Sequence, residues 1–234
     1  AAWGVNDRVQ LAEAERIARR RINEQHMQAG VTIVDPAATY IDYGVEIGCD
    51  TTIWPGSILI GRTHIGQHCT IGPAARLRDS AIADRCRIVD STIEESSVGA
   101  DSDVGPYAHL RPGVRIGAHV HVGNYVEMKN TSVGDHSLIG HVGYLGDATI
   151  GEQVNIGAGV ITANYDGKVK HPTVIGDGAF IGVETVLRAP VTVGAGAATG
   201  GNSFVNRDVP PGETVVGVPA RPIVRRACRD RDGG

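Results

Sequence analysis

Residues 98–128 read VGADSDVGPYAHLRPGVRIGAHVHVGNYVEM, and a large apolar side chain recurs at every sixth place: Val98, Val104, Leu110, Ile116, Val122 and Met128. The same step runs upstream through Ile47, Ile53, Leu59, Ile65, Ile71 and Leu77. Downstream it runs through Ile175, Ile181, Leu187, Val193, Thr199 and Val205, with Thr199 the polar exception. Four places after each stands a small residue: Ser, Thr, Ala, Val or Cys. Gly follows many of them directly, as in Ile65-Gly66, Ile116-Gly117 and Val193-Gly194. Steps of five at Leu77 to Ile82, Met128 to Val133 and Leu145 to Ile150 keep the rows in phase. A helix repeats at about 3.6 residues and a simple strand at about 2, so neither accounts for a period of six held this long.

A large aliphatic, a small inward residue and a corner describe one side of a triangular coil. Three sides give a turn of about 18 residues, with parallel strands stacked about 4.8 Å apart. Composition agrees with this. Among 234 residues, 32 Gly and 11 Pro supply tight corners, and aromatics at 4% leave a thin core. Hydrophobic residues at 41% and a net charge of −4 exclude a disordered chain. No Gly-X-Y period marks collagen, and no apolar run is long enough to span a membrane. A pI near 6.1 with interspersed charges argues against broad nucleic-acid binding. The pattern resembles the hexapeptide-repeat left-handed parallel β-helix, an all-β triangular solenoid; its hand is implied by the resemblance and not by the spacing.

Such coils need caps at their ends. Residues 1–30 are expected to hold a helix from about Asn6 to Ala29, with Asn6 as cap, Leu11, Ala14, Ile17 and Ile22 as a loose apolar stripe, and Gly30 closing the end. Glu15 stands four before Arg19, and the run Arg19-Arg20-Arg21 reads as a solvated face. The coil itself is expected over 31–208, followed by an extended, partly disordered tail over 209–234. Within the coil, ANYDGKVKHP at 163–172 is polar and turn-rich and reads as a loop thrown outward. Cys69 and Cys86 each lie four after an aliphatic, one coil apart, and should stack in the core as small apolar residues. Cys228 sits in the charged tail without an assigned role. The chain starts Ala1-Ala2-Trp3 without Met, as expected of a piece of a longer protein.

The register also predicts surface neighbours. Arg111 follows Leu110 and Lys129 follows Met128, so two cations share one face on successive coils, where they repel unless an anion lies between them. The matching place on the next coil is Gly146, which leaves room. Either these are solvated cations or they clamp a phosphate. His141 is outward, two after Ile139, with Asn124 stacked one coil earlier and Tyr144, Asn155, Asn164 and Tyr165 in the coils that follow. Of nine His it is the best general-base candidate.

Asn124-Tyr-Val-Glu-Met-Lys129, Gly140-His-Val-Gly-Tyr-Leu-Gly-Asp147, Val154-Asn-Ile-Gly-Ala-Gly159 and Ala163-Asn-Tyr-Asp-Gly167 form one colinear block behind Leu110-Arg-Pro-Gly113. From the helix through about residue 178, the chain resembles the acetyltransferase half of the bifunctional N-acetylglucosamine-1-phosphate uridyltransferase / glucosamine-1-phosphate N-acetyltransferase family. The resemblance implies acetyl transfer from acetyl-CoA to the 2-amino group of glucosamine 1-phosphate, in the cytoplasm, on the route to UDP-N-acetylglucosamine and the cell wall. It implies that His141 is the base, that Arg111 and Lys129 hold the sugar phosphate, and that Tyr144 and Asn155 contact the sugar. Ala158, Asn164, Tyr165, Val183 and Gly201 would lie at the acetyl-CoA end. It further implies a homotrimer with sites between subunits, and no metal.

Past residue 178 the match thins. Val183 stands where the family usually has Ser, Gly201 replaces a small Ala, and the later Arg that helps hold CoA has no counterpart near Gly217. The family's Gly-rich nucleotide loop and metal carboxylate are absent from these residues, so uridylyl transfer is not expected of them. Two alternatives stay open. One is a hexapeptide acyltransferase for another small amine or alcohol. The other is a zinc carbonic anhydrase on the same fold, using His136, His141 and a third His in register, for which His119 and His121 are poorly placed.

Overall fold

The computed structural model describes residues 4–223; Cys228 and the rest of the chain beyond them lie outside the described residues. Short strands wind into a left-handed parallel β-helix of about ten turns, built on three sheets of twelve, ten and nine strands. Sheet 1 begins at Thr32–Ile33, sheet 2 at Tyr40–Ile41 and sheet 3 at Glu46–Ile47, and the chain visits them in that order on every coil. The ladder pairs Ile53 with Ile71, Ile71 with Ile88 and Ile88 with Val104, which are steps of 18, 17 and 16.

Every hexad residue is buried except Ile47, half-buried on the outermost strand of sheet 3, where a coil packs on one side only. Each fully buried Ile or Leu contributes roughly 1.5–3 kcal/mol. The small inward residues need partners, since nothing in a narrow prism replaces water. They find them between coils. Thr51 Oγ1 donates to Gly66 O at 2.8 Å and accepts from Cys69 N at 3.0 Å. Ser102 and Ser137 repeat this with Gly117 O and Gly151 O, both at 2.9 Å. Cys69 and Cys86 occupy the same row as expected, their thiols directed at Ala83 O and Gly99 O at 3.1 Å. The neighbouring Cys69 sulfur and burial push the Cys86 thiol well above its ordinary range.

The corners explain the glycines and the five-residue steps. A β-carbon on Gly134 would meet Glu152 N at 2.6 Å, and one on Gly157 would meet Val183 N at 2.6 Å, so the coils close only on Gly at these places. Beyond them the backbone turns through left-handed residues, including Tyr107 (φ 62°), Tyr125 (φ 59°), His119 (φ 56°) and His136 (φ 60°). The edge between sheets 2 and 3 is tighter only at the five-residue steps, since Thr63 and Val114 keep the offset of four. At those steps the buried small residue comes three places after the aliphatic, as Ser80, Thr131 and Ala148.

The N-terminal helix runs Arg8–Gln28. Its cap is Asp7, one place later than the Asn6 expected: the Asp7 carboxylate accepts from Gln10 N at 2.8 Å, while Asn6 N donates to Gln10 Oε1 at 2.8 Å. A carboxylate also favours the helix dipole. Gly30 (φ 95°) closes the far end as expected. The arginine run is not uniformly solvated. Arg19 is half-buried, 4.1 Å over the Tyr40 ring, whereas Arg20, paired with Glu24 at 2.7 Å, and Arg21 are exposed as expected. Buried Asn23 donates to Pro36 O at 2.9 Å and to Thr39 O at 3.2 Å, docking the helix on the first coil.

Between the strands Val160–Ala163 and Thr173–Ile175 the chain leaves the coil, with a bridge of Tyr165 to Lys170, and re-enters in register as Thr173 pairs with Ala148. From Val209, read from sequence as extended tail, the ladder continues. Val209 bridges to Val193, and Thr214–Val216 extends sheet 1 before Arg221–Pro222 returns antiparallel.

Candidate functional site

The residues singled out by sequence fall into two groups and one outlier. The first group lies on sheet 2. Leu110 pairs with Met128, which sets Arg111 and Lys129 on adjacent coils, and Lys129 pairs with Gly146 on the next. Arg111 is not a free cation: its Nη1 donates to Glu127 Oε1 at 2.7 Å. Among the described residues Lys129, half-buried, forms no ion pair. Gly146 is not empty space either. A β-carbon there would collide with the Tyr144 hydroxyl and come within 2.7 Å of Asn164 Nδ2, so these two groups fill the room that the missing side chain leaves.

The second group runs along the edge between sheets 1 and 2. Pairing of Ile139 with Ile156, Ile156 with Ile181 and Ile181 with Thr199 aligns the residues two places on: His141, Ala158, Val183 and Gly201. Asn124 precedes them by the pairing of Val122 with Ile139, as expected. His141 is exposed and among the described residues has no hydrogen-bond partner on its ring. Val183 is exposed, and a β-carbon on Gly201 would lie 3.2 Å from its Cγ2. Large apolar side chains flank this edge: Trp54, Tyr107, Tyr125, Val142, Leu138 and Phe180 are all exposed, with Tyr107 and Tyr125 stacked at 5.3 Å.

Asn155 stands apart, outward on sheet 1 between Leu138 and Phe180. Asn164 and Tyr165 are not with the other three residues assigned to the acetyl-CoA end. They sit across sheet 2, at its edge with sheet 3, where the loop begins. Asn164 is buried and Tyr165 exposed. The loop is pinned by Asp166, whose carboxylate accepts from Lys168 N and Val169 N at 2.8 Å and meets His171 Nε2 at 2.8 Å. The His171 imidazole, then the Val169 and Lys168 N–H groups, hold the Asp166 carboxyl well below the usual carboxylate range. A polar cleft of about 400 Å³ opens beneath the loop between Arg115, Ser132, Thr149 and Lys170, and another of about 400 Å³ lies between the helix and Pro36.

Sequence reasoning left Glu127, Asp147 and the Asp166–His171 pair without roles. Asp147 was within reach, since Asn130 and Asn164 each lie one coil, 17 residues, from it. His136 does not approach His141. Its ring stacks on that of His119 at 4.7 Å, on the edge between sheets 3 and 1. No group of three His, Cys, Asp or Glu among the described residues is arranged to hold a metal ion. No helix of the described residues is long and apolar enough to cross a membrane.

Residues 44–79 match the bacterial transferase hexapeptide family (six repeats), and residues 172–207 match the hexapeptide repeat of succinyl-transferase. The bifunctional protein GlmU of Trichlorobacter lovleyi is 54% identical over 209 residues, 89% of this chain and 45% of that protein. The protein of the same name from Brevibacillus brevis is 51% identical over 207 residues, 88% of this chain and 45% of that protein. The chain thus spans about half the length of the curated relatives it matches. In fold it is similar to the UDP-N-acetylglucosamine acyltransferase of Campylobacter jejuni, with a TM-score of 0.60 at 18% identity over 82% of this chain and 74% of that one. The chain carries transferase hexapeptide repeats and is a homologue of about half of the bifunctional protein GlmU.

Proposed function

We propose that this chain is a glucosamine-1-phosphate N-acetyltransferase that takes its acetyl group from acetyl-CoA and works in the cytoplasm. The observation that carries this reading is the identity of about half of all positions to GlmU proteins over a stretch that includes every candidate residue.

In the reaction the sugar amine attacks the thioester carbonyl, a C–N bond forms, and the C–S bond breaks to release the CoA thiolate. His141, exposed and without a ring partner among the described residues, takes the proton that the amine loses and returns it to the sulfur. Such general-base help is worth about 10²–10⁴-fold. Lys129 is the main cation for the sugar phosphate, and Arg111, already paired with Glu127, adds less field but more direction. Tyr144 and Asn155 contact the sugar. Ala158, Val183 and Gly201 form a shallow strip for the thioester arm of CoA, while Asn164 and Tyr165 serve from the loop side.

Exposed apolar residues on both sides of the His141 edge support assembly of the chain with copies of itself, as a trimer whose sites form between neighbouring prisms. A second copy on this edge would bring the separated groups within reach of one substrate. The test is a coupled assay with glucosamine 1-phosphate, glucosamine, serine and other sugar phosphates as acceptors. Glucosamine 1-phosphate should be preferred by a wide margin; preference for any other acceptor overturns the reading.

A further inference from the structure

Asn164 is a buried side chain of the candidate site, and a carboxylate that has so far been given no role, Asp147, holds it. Asp147 stands on the edge between sheets 2 and 3 in the left-handed region (φ 50°), with its side chain 18% exposed. Its Oδ1 accepts from Asn130 Nδ2, one coil before, at 2.7 Å. Its Oδ2 accepts from Asn164 Nδ2, one coil after, at 2.6 Å, and Lys170 Nζ lies 3.9 Å from the same oxygen. Its backbone is tied as well, through Asp147 N to Lys129 O at 3.0 Å and Thr173 N to Asp147 O at 3.1 Å.

An ionised carboxylate offers no donor, so Asn164 can face Asp147 only with its NH₂. The other end of the amide, Oδ1, is then directed away from Asp147. Among the described residues nothing donates to it, and it is not one of the sealed, unpartnered polar atoms. The same Nδ2 lies 2.7 Å from where a β-carbon of Gly146 would stand, beside the Tyr144 hydroxyl. An amide free to rotate would offer a ligand either a donor or an acceptor. Held in this way, it offers an acceptor.

We propose that Asp147 is a positioning residue that fixes Asn164 Oδ1 as an acceptor for an N–H of the ligand, an amine or an amide. The proposal rests on the acetyl-transfer reading of the site. A charged partner also makes the hold stronger than a neutral amide pair would, because hydrogen bonds to charged groups are worth about twice as much.

The test is a three-variant cycle with two readouts. Asp147→Asn lets the Asn164 amide take either orientation, and Asn164→Asp sets two carboxylates against each other. Each should lower kcat/KM about tenfold or more, the loss of roughly one directed hydrogen bond. The double swap, Asp147→Asn with Asn164→Asp, restores a donor facing a carboxylate and still turns an acceptor outward. It should recover to within a few-fold of the parent. A swap as poor as the worse single variant overturns the proposal.

The second readout needs no activity. Solvent exchange of the Asn164 side-chain NH₂, followed by NMR, should quicken in Asp147→Asn while the melting temperature barely moves. Unchanged exchange overturns the proposal even in an active enzyme. A parent chain inactive on glucosamine 1-phosphate would remove the proposed function and leave this readout standing.

Discussion

The hydroxyl of Tyr144 lies over Gly146, inside the volume that a β-carbon on that glycine would occupy. Gly146 ends the strand Gly143–Gly146 in ordinary extended backbone, so it is there for its lack of a side chain and not for a left-handed turn. Gly146→Ala should therefore fold with little change in melting temperature but displace Tyr144 and Asn164 together. A displacement of about 1 Å at a reacting site costs up to about 10²-fold. Steady-state kinetics should show kcat/KM falling by that order, and near-normal kinetics would mean that the Tyr144 position is not used.

Arg111 and Lys129 look equivalent in the sequence and are not equivalent in the fold. Glu127 takes up part of the Arg111 charge, whereas Lys129 meets no carboxylate among the described residues. Lys129→Ala should raise the sugar-phosphate KM several times more than Arg111→Ala does, with the acetyl-CoA KM little changed in both. Equal effects on the two substrates would undo the anion clamp. Replacing Glu127 by Gln should tighten the hold of Arg111 on phosphate and lower that KM.

Among the described residues the exposed His141 ring has no hydrogen-bond partner to keep it from a substrate. His141→Ala should lower kcat by about 10²–10⁴-fold and leave the melting temperature unchanged, since an exposed side chain away from special features contributes little to stability. Binding of acetyl-CoA, measured by calorimetry, should persist. Turnover within a few-fold of the parent would remove His141 as the base.

The coil was legible because its geometry is one-dimensional: a fixed step in sequence is a fixed displacement in space. That is why Ile53 and Ile71 stack as read, why Cys69 and Cys86 share a row, and why Asn124 and His141 align. What stayed hidden depends on where side chains point along the surface. Tyr144 reaches over its own i+2 neighbour, and Arg111 reaches sideways to Glu127, and no count of residues encodes either choice. Arg19 on Tyr40 depends on how the helix docks, which the repeat does not set. The tail continued into the ladder because Val209 and Val215 still supply inward apolar residues, although Pro210, Pro211 and Gly212 had read as extended chain.

The loop at 164–172 should be the part of the site most sensitive to acid. Asp166 ties it through the His171 ring and two backbone N–H groups, and its carboxyl is held well below the ordinary value of about 3.9. A lowered folded pKa means that the ionised form contributes order fully above the ordinary value and loses it as pH falls through the folded one. Protection of the loop amides, read as exchange relative to the intrinsic rate at each pH, should thus hold from neutral pH down to about pH 4 and fall below that. Other carboxylates titrate in the same window, so variants at pH 7 isolate the contribution. Asp166→Asn can still accept from Lys168 N and Val169 N but loses the charge facing His171; Asp166→Ala loses both. Exchange rates should rank parent slowest, Asn next and Ala fastest, with the core coils unaffected. Equal rates in all three would show that the loop is held by its Tyr165–Lys170 bridge and the Asn164 anchor, not by Asp166.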